Sequence, residues 1–197
     1  MPLEISMGGG SGIGFLRFKP MENAWYRSSL DGGMEEFEWE HPVMIDIQNV
    51  QLGWLWLAQG VREWIPWPDN KQTPIPTDGE FKPGASLKFY SEKLFGEDDP
   101  VRELCTSTVG VVKFVQALYA DTEIQFTKHK GEKVPVVEID GSKSEKIGKG
   151  QTRIPQYTVK KWADRPDALK DADDSSASSV GNVDPQTSTD TDDDEEF

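Results

Sequence analysis

Asp98-Asp99-Pro100 followed by VRELCTSTVGVVKFVQALYA (residues 101–120) is the stretch on which the fold turns. Val101, Leu104, Cys105, Thr108, Val111, Val112, Val115, Leu118 and Tyr119 recur at the three-and-four spacing of one helical face. Carboxylates beside a proline are helix-start chemistry, because they favour the positive end of the dipole and proline gives up no needed donor. The spacing therefore predicts one principal helix over about 100–120. A break near Ser107-Thr108 or Gly110, leaving a short and a longer piece, is the alternative.

Around this helix the chain reads as strands and turns. Residues 13–19 read as a strand, with Phe15 and Phe18 on opposite faces and Arg17 and Lys19 together on one, before Pro20 ends it. Trp25 and Tyr26 precede the turn signal Asp31-Gly32-Gly33, and Phe37, Trp39 and His41 alternate with glutamates. Residues 43–47 and 53–58 are further strands. In the second, Trp54 and Trp56 take one face while Leu55 and Leu57 point to the core. The prolines of residues 63–68 rule out an inner strand, and residues 68–84 read as a long Pro/Gly surface loop. Residues 86–93, 133–139 and 154–162 complete the strands. Asp140-Gly141 reads as a turn and residues 147–150 as a Lys/Gly loop.

Strands, one late helix and two more strands give a mainly β chain, fitted by an OB-fold-like five-stranded barrel with extra strands. A β-sandwich lacks the helix, and a doubly wound α/β fold needs several. The division expected is a Gly-rich leader over 1–11, an OB-like nucleic-acid-binding domain over 12–166 and a disordered acidic tail over 167–197.

Charge is distributed unevenly. The formal net charge is −14, but the tail holds eleven acidic residues against Lys170 alone. Residues 128–165 carry ten bases and five acids, whereas residues 1–127 carry ten and nineteen. An acidic tail behind a basic block is the pattern of a polyanion binder whose tail imitates the polyanion. The single cysteine, Cys105, excludes an intrachain disulfide and fits a reducing compartment. No apolar run reaches eighteen residues, and the leader lacks the basic-then-apolar order of a secretory signal, so a cytoplasmic protein without membrane attachment is expected.

Catalysis is the weaker class. His41, His129 and Cys105 fall in no HExxH, CxxC or GxSxG spacing, and the glutamates at 35, 36, 38 and 40 read as a solvated face. No cofactor, metal or catalytic residue is expected, although a metal-dependent nuclease stays a minor alternative. Binding is stronger, because aromatics interleaved with bases are what single-stranded nucleic acid requires: rings for bases, cations for phosphates. The groups are Arg17 and Lys19; Trp25, Tyr26 and Arg27; Arg62, Trp64 and Trp67; Lys88, Phe89, Tyr90 and Lys93; and Lys143, Lys146, Lys149 and Arg153.

The chain finishes on Asp192-Asp193-Asp194-Glu195-Glu196-Phe197, carboxylates followed by one ring that a pocket with a basic rim could capture. Segments Gly148-Lys149-Gly150, Pro155-Gln156-Tyr157 and Trp162-Ala163-Asp164-Arg165-Pro166 lie ahead of it. In these features the chain resembles the single-stranded DNA-binding proteins of tailed phages and bacteria, the phage type in particular. It departs from the bacterial type in lacking the Gln/Pro/Gly-rich linker and a proline before the terminal Phe. The resemblance implies sequence-nonspecific binding of single-stranded DNA in phage replication or recombination, within the host cytoplasm. It implies a tail that competes with DNA and recruits replication or recombination enzymes through Asp192 to Phe197, and it leaves a homo-oligomer open. An acidic protein–protein adaptor or DNA-mimicking inhibitor is the alternative, argued from the acidic first two-thirds.

Overall fold

The stretch 101–120 divides at Thr106: Val101–Thr106 is a strand, and Val109–His129 is the long helix. The helix expected from residue 100 is corrected in this way, and it runs nine residues past the expected end. The helical spacing of Val101, Leu104 and Cys105 misleads because both faces of that strand are covered. Leu104 enters the main core, whereas Val101 is covered by a helix from the far end of the chain. Arg102 hides the period of two as well. It is buried on the core side, its guanidinium 2.7 Å from the Asp99 carboxylate and stacked 5.4 Å from the Phe95 ring centre. Asp99, read as helix-start chemistry, is the counter-ion of a buried arginine.

The computed structural model describes residues 13–29, 33–58, 61–148 and 150–177. In chain order the elements are β1 (Gly14–Lys19), β2 (Ala24–Ser28), β3 (Met34–Phe37), β4 (Val43–Ile45), β5 (Gln51–Ala58), β6 (Val61–Pro66) and β7 (Lys82–Tyr90). There follow α1 (Glu92–Phe95), β8 (Val101–Thr106), α2 (Val109–His129), β9 (Lys133–Ile147), β10 (Gly150–Asp164) and α3 (Asp167–Ala177). The chain is mainly β, a curled mixed sheet whose main path runs β10-β9-β4-β7-β8-β1-β2-β3. Strand β7 shares one edge between β4 and β5, and β5 carries β6 on its outer side. β6 pairs with β5 alone, where Pro66 interrupts no inner ladder. Among the described residues β1 and β8 form the one parallel pair.

Helix α2 packs against the inner face. Val111, Phe114, Val115 and Leu118 meet Leu16, Phe18, Leu87, Phe89 and Leu104 in one core. Its C-terminal turn carries Lys128 and His129, favourable to the dipole, and Lys130 closes it in the left-handed region at φ 50. At the other end Gly110 lies against β10, where a Cβ would collide with the Arg153 carbonyl oxygen.

Asp140-Gly141 is not a turn but a bulge within a fifteen-residue hairpin arm. Ser142 pairs with Pro155 and Ile139 with Tyr157, so Asp140 and Gly141 together oppose Gln156. Gly141 takes φ 86, which a side chain would resist. Bulges bend a strand, and beyond this one Ser142 hydrogen-bonds the side chain of Asn23 in the β1–β2 turn. The arm thus bends across α2, tied to it by the Lys113–Glu145 ion pair.

The boundary at 166 moves. Residues 167–177, expected in the disordered tail, form α3, with Leu169 0% exposed in a second cluster with Val101, Val134 and Ala172. Just before it Arg165 donates to Asp46 at 2.6 Å, a carboxylate only 1% exposed. The leader 1–11, Lys149 and the segment from residue 178, including Asp192 to Phe197, lie outside the described residues. No described helix is long and apolar enough to cross a membrane.

Candidate nucleic-acid interface

Register sorts the candidate residues by face, because residues opposite one another in a pair point to the same side. Leu16 and Phe18 point into the core, so Phe15, Arg17 and Lys19 point outward from β1. Arg17 stands opposite Tyr26, Phe15 opposite Glu103, Lys88 opposite Glu103, and Leu57 opposite Arg62. Arg17, Lys19, Tyr26, Arg62, Trp64 and Lys88 therefore share the outward face. On it lies a cleft of about 490 Å³ lined by Phe15, Arg17 and Lys19 of β1, Met21 and Glu22 of the following turn, Met34, Leu57, Arg62 and Cys105.

Two of the three cations in the cleft, Arg62 and Lys19, each sit against a ring and a carboxylate. The Arg62 guanidinium lies 4.2 Å from the Phe15 ring centre, with Nη2 3.5 Å from Glu103. Glu103 in turn accepts from Ser86 Oγ at 2.5 Å. Lys19 Nζ lies 4.1 Å over the Tyr26 ring and 3.1 Å from both Glu22 oxygens. The Tyr26 hydroxyl donates to Glu22, which pushes that phenol up to about 12 and, with Lys19, holds the Glu22 carboxyl below its ordinary range. The rim is apolar and exposed: Met21 is 92% exposed, Leu57 56% and Met34 45%. Trp64 lies across Gly53, where a Cβ would stand 2.8 Å from the indole, so that glycine is the seat of the ring.

Cys105 faces this cleft, yet burial pushes its thiol up to about 11, with Arg62 only partly offsetting. The thiolate is the reactive form. Alkylation of the native protein by iodoacetamide at pH 8 is therefore expected to be far slower than that of the urea-unfolded chain, followed by mass spectrometry. Equal rates would show the thiol accessible and ionisable.

The remaining candidates lie elsewhere. Trp25, 5% exposed, and Phe89, 0% exposed, are core residues rather than stacking platforms, because the period of two turns both inward. Trp67 meets Trp54 at 5.2 Å, Trp54 Nε1 donates to Thr73, and Trp56 meets Phe81. The Pro-rich loop thus folds back over the β5 tryptophans and makes a local core. Leu57, expected inside, is on the exposed rim. Tyr90 points outward at the end of the sheet that α3 covers, and its hydroxyl donates to Glu92, which pushes it up to about 12. Lys93 is exposed on α1, and Arg27 turns inward to Glu35 and the Leu94 carbonyl. On the distal arm of β9 and β10, Lys146 and Arg153 share one face, whereas Lys143, opposite Ile154, is on the other.

The structure thus gathers seven of the named residues on one face, with Tyr90 beside α3 and the other six clear of it, and places Lys143, Lys146 and Arg153 apart on the arm. Sequence reasoning missed Phe15, Glu22 and the apolar rim. The alternation that put Arg17 and Lys19 on one face carries Phe15 as well, so that signal was present. Comparison with protein-family models, with curated proteins and with solved structures found no match to this chain.

Proposed function

We propose that the chain is a sequence-nonspecific single-stranded DNA-binding protein with an elaborated OB-like barrel, and that it binds on the outward face. The observation that carries this reading is the convergence of Arg17, Lys19 and Arg62 on one cleft with Phe15 and Tyr26. Bases need flat or apolar partners and the backbone needs cations, and both stand here within one groove. Trp64 and Lys88 extend the face, and Lys143, Lys146 and Arg153 on the arm supply a second set of phosphate contacts. Contacts of this kind read no sequence, so binding is nonspecific and falls with salt.

Residues 178–197 carry seven carboxylates and no base. Helix α3 packs on outward-facing Val101, four residues along β8 from Cys105 in the cleft, about 13 Å at strand rise. Twenty residues span up to about 66 Å when extended, so this segment can cover the cleft and compete with DNA. Once displaced it would present Asp192 to Phe197 to a replication or recombination enzyme.

The test is fluorescence anisotropy of a labelled dT oligonucleotide against the full chain and a chain ending at Ala177, at 50 and 200 mM salt. Binding is expected for both, weakened by salt and several-fold tighter for the shorter chain at 50 mM. No binding by either would overturn the DNA reading. It would favour the second one, a protein–protein adaptor, which the apolar rim of Met21, Met34 and Leu57 supports. Binding that is equal in the two chains would remove the competing segment alone.

A further inference from the structure

The β1–β2 turn holds a carboxylate where the proposed ligand would place a phosphate. Glu22 presents both oxygens to Lys19 Nζ at 3.1 Å and accepts from the Tyr26 hydroxyl through Oε2. Arg17 stands opposite Tyr26 on the same outward face and adds its charge to the field at Glu22. An ammonium and a phenol, both donating to two oxygens of one anion, recognise a phosphodiester equally well, since it too offers two anionic oxygens on one centre.

Little holds Glu22 there. Its side chain is about half exposed, and the preceding Met21 is 92% exposed. The turn is tied to the β9 arm through the Asn23 side chain and Ser142, which leaves the Glu22 carboxylate itself held only by Lys19 and Tyr26. The turn is closed by Asn23 at φ 55, a conformation asparagine tolerates, with its N–H 3.3 Å from the Pro20 carbonyl. An exposed ion pair of this kind contributes little, because water and salt screen it. It is strong enough to occupy the seat in the free protein and weak enough to yield to a polyanion held at several other points.

We propose that Lys19 and Tyr26 form a phosphate seat for one backbone phosphodiester, which Glu22 fills in the free protein and vacates when nucleic acid binds. The inference rests on the DNA reading of the outward face and deepens it: Glu22 sets how strong an anion must be to enter. A lone weak anion does not displace it, whereas a strand anchored at Arg62 and on the arm does. The seat also has a signature in the salt dependence. While Glu22 neutralises Lys19, a phosphate entering there exchanges one anion for another and releases little counterion. Without Glu22 the same contact releases its full share.

The experiment compares the wild type with Glu22→Gln, which keeps the side chain's size and loses its charge. Anisotropy with a labelled dT oligonucleotide is expected to show Glu22→Gln binding tighter at 50 mM salt by up to about fivefold, the upper end of what losing a competing exposed ion pair gives. The log–log salt slope is expected to steepen by about 0.7, one added phosphate contact. Ultraviolet titration of the tyrosines tests the geometry without DNA. In the difference between the two proteins one phenol is expected to move from about 12 toward the ordinary value of 10.

If the wild type binds and Glu22→Gln binds with the same affinity and slope, the seat is wrong and the DNA reading stands. If the phenol does not move, Glu22 is not on Tyr26 in solution and the seat is again wrong. If neither protein binds oligonucleotide, the reading beneath it fails, and the phosphodiester seat falls with it.

Discussion

Reversing two cleft charges, Arg17→Glu together with Arg62→Glu, is expected to weaken oligonucleotide binding about a hundredfold at 50 mM salt. Each reversal removes an attraction and installs a repulsion at a partly screened site, on the order of 1.4 kcal/mol or tenfold per position. The salt slope is expected to flatten by about 1.4, because two phosphate contacts at about 0.7 each are gone. Arg62 also stacks on Phe15 and pairs with Glu103, so its variant leaves Glu103 beside a second carboxylate. That costs some stability, and a circular-dichroism melt separates the cost from binding. Lys93→Glu, on α1 away from the cleft, is the control, matched in net charge to either cleft reversal made singly, each of which is expected to cost about tenfold. An equal loss from Lys93→Glu would mean that only overall charge matters and that the cleft is not the site.

The legible parts of the fold are those where one face is buried and the other wet. β1 alternates cleanly, and that alternation alone puts Arg17 and Lys19 together on one side. The illegible parts are those covered on both sides. β8 carries Leu104 toward the main core, Val101 toward α3 and a buried Arg102 between them, so its period of two vanishes into an apparent helix. Asp140-Gly141 has turn composition because a bulge asks for the same positive φ as a turn. Only the partner strand distinguishes them.

Aromatic residues carry the same ambiguity at the candidate site. Trp25 and Tyr26 are neighbours, yet the pleat turns one into the core and the other to the cleft. Trp67 lies in a Pro-rich stretch and still finds a partner in Trp54, since the loop returns over β5. Composition shows that rings and cations are available. It does not show which of them the core claims.

Leu169→Ala is expected to destabilise the protein by about 2–5 kcal/mol, a large effect for a residue in so acidic a segment. The leucine is 0% exposed against Val101 and Val134, and its loss opens a void that the short helix α3 can close only by shifting on the sheet. For a domain of this size each kcal/mol lowers the melting temperature by about 2–4 °C, so differential scanning calorimetry resolves the change easily. Ending the chain at Pro166 removes the whole helix and is expected to do at least as much damage. Ending it at Ala177 is expected to leave the melting temperature unaltered. The contrast bears on function, because Val101, Met44 and Tyr90 beneath α3 belong to the outward face that also carries the cleft. A chain cut at 166 would expose apolar surface beside the proposed DNA path and remove the acidic segment in the same stroke, so a change in its DNA affinity would report neither alone. If Leu169→Ala melts with the wild type, α3 does not dock in solution, the acidic segment begins at 167 as its composition suggests, and the starting point of the competing tail moves back with it.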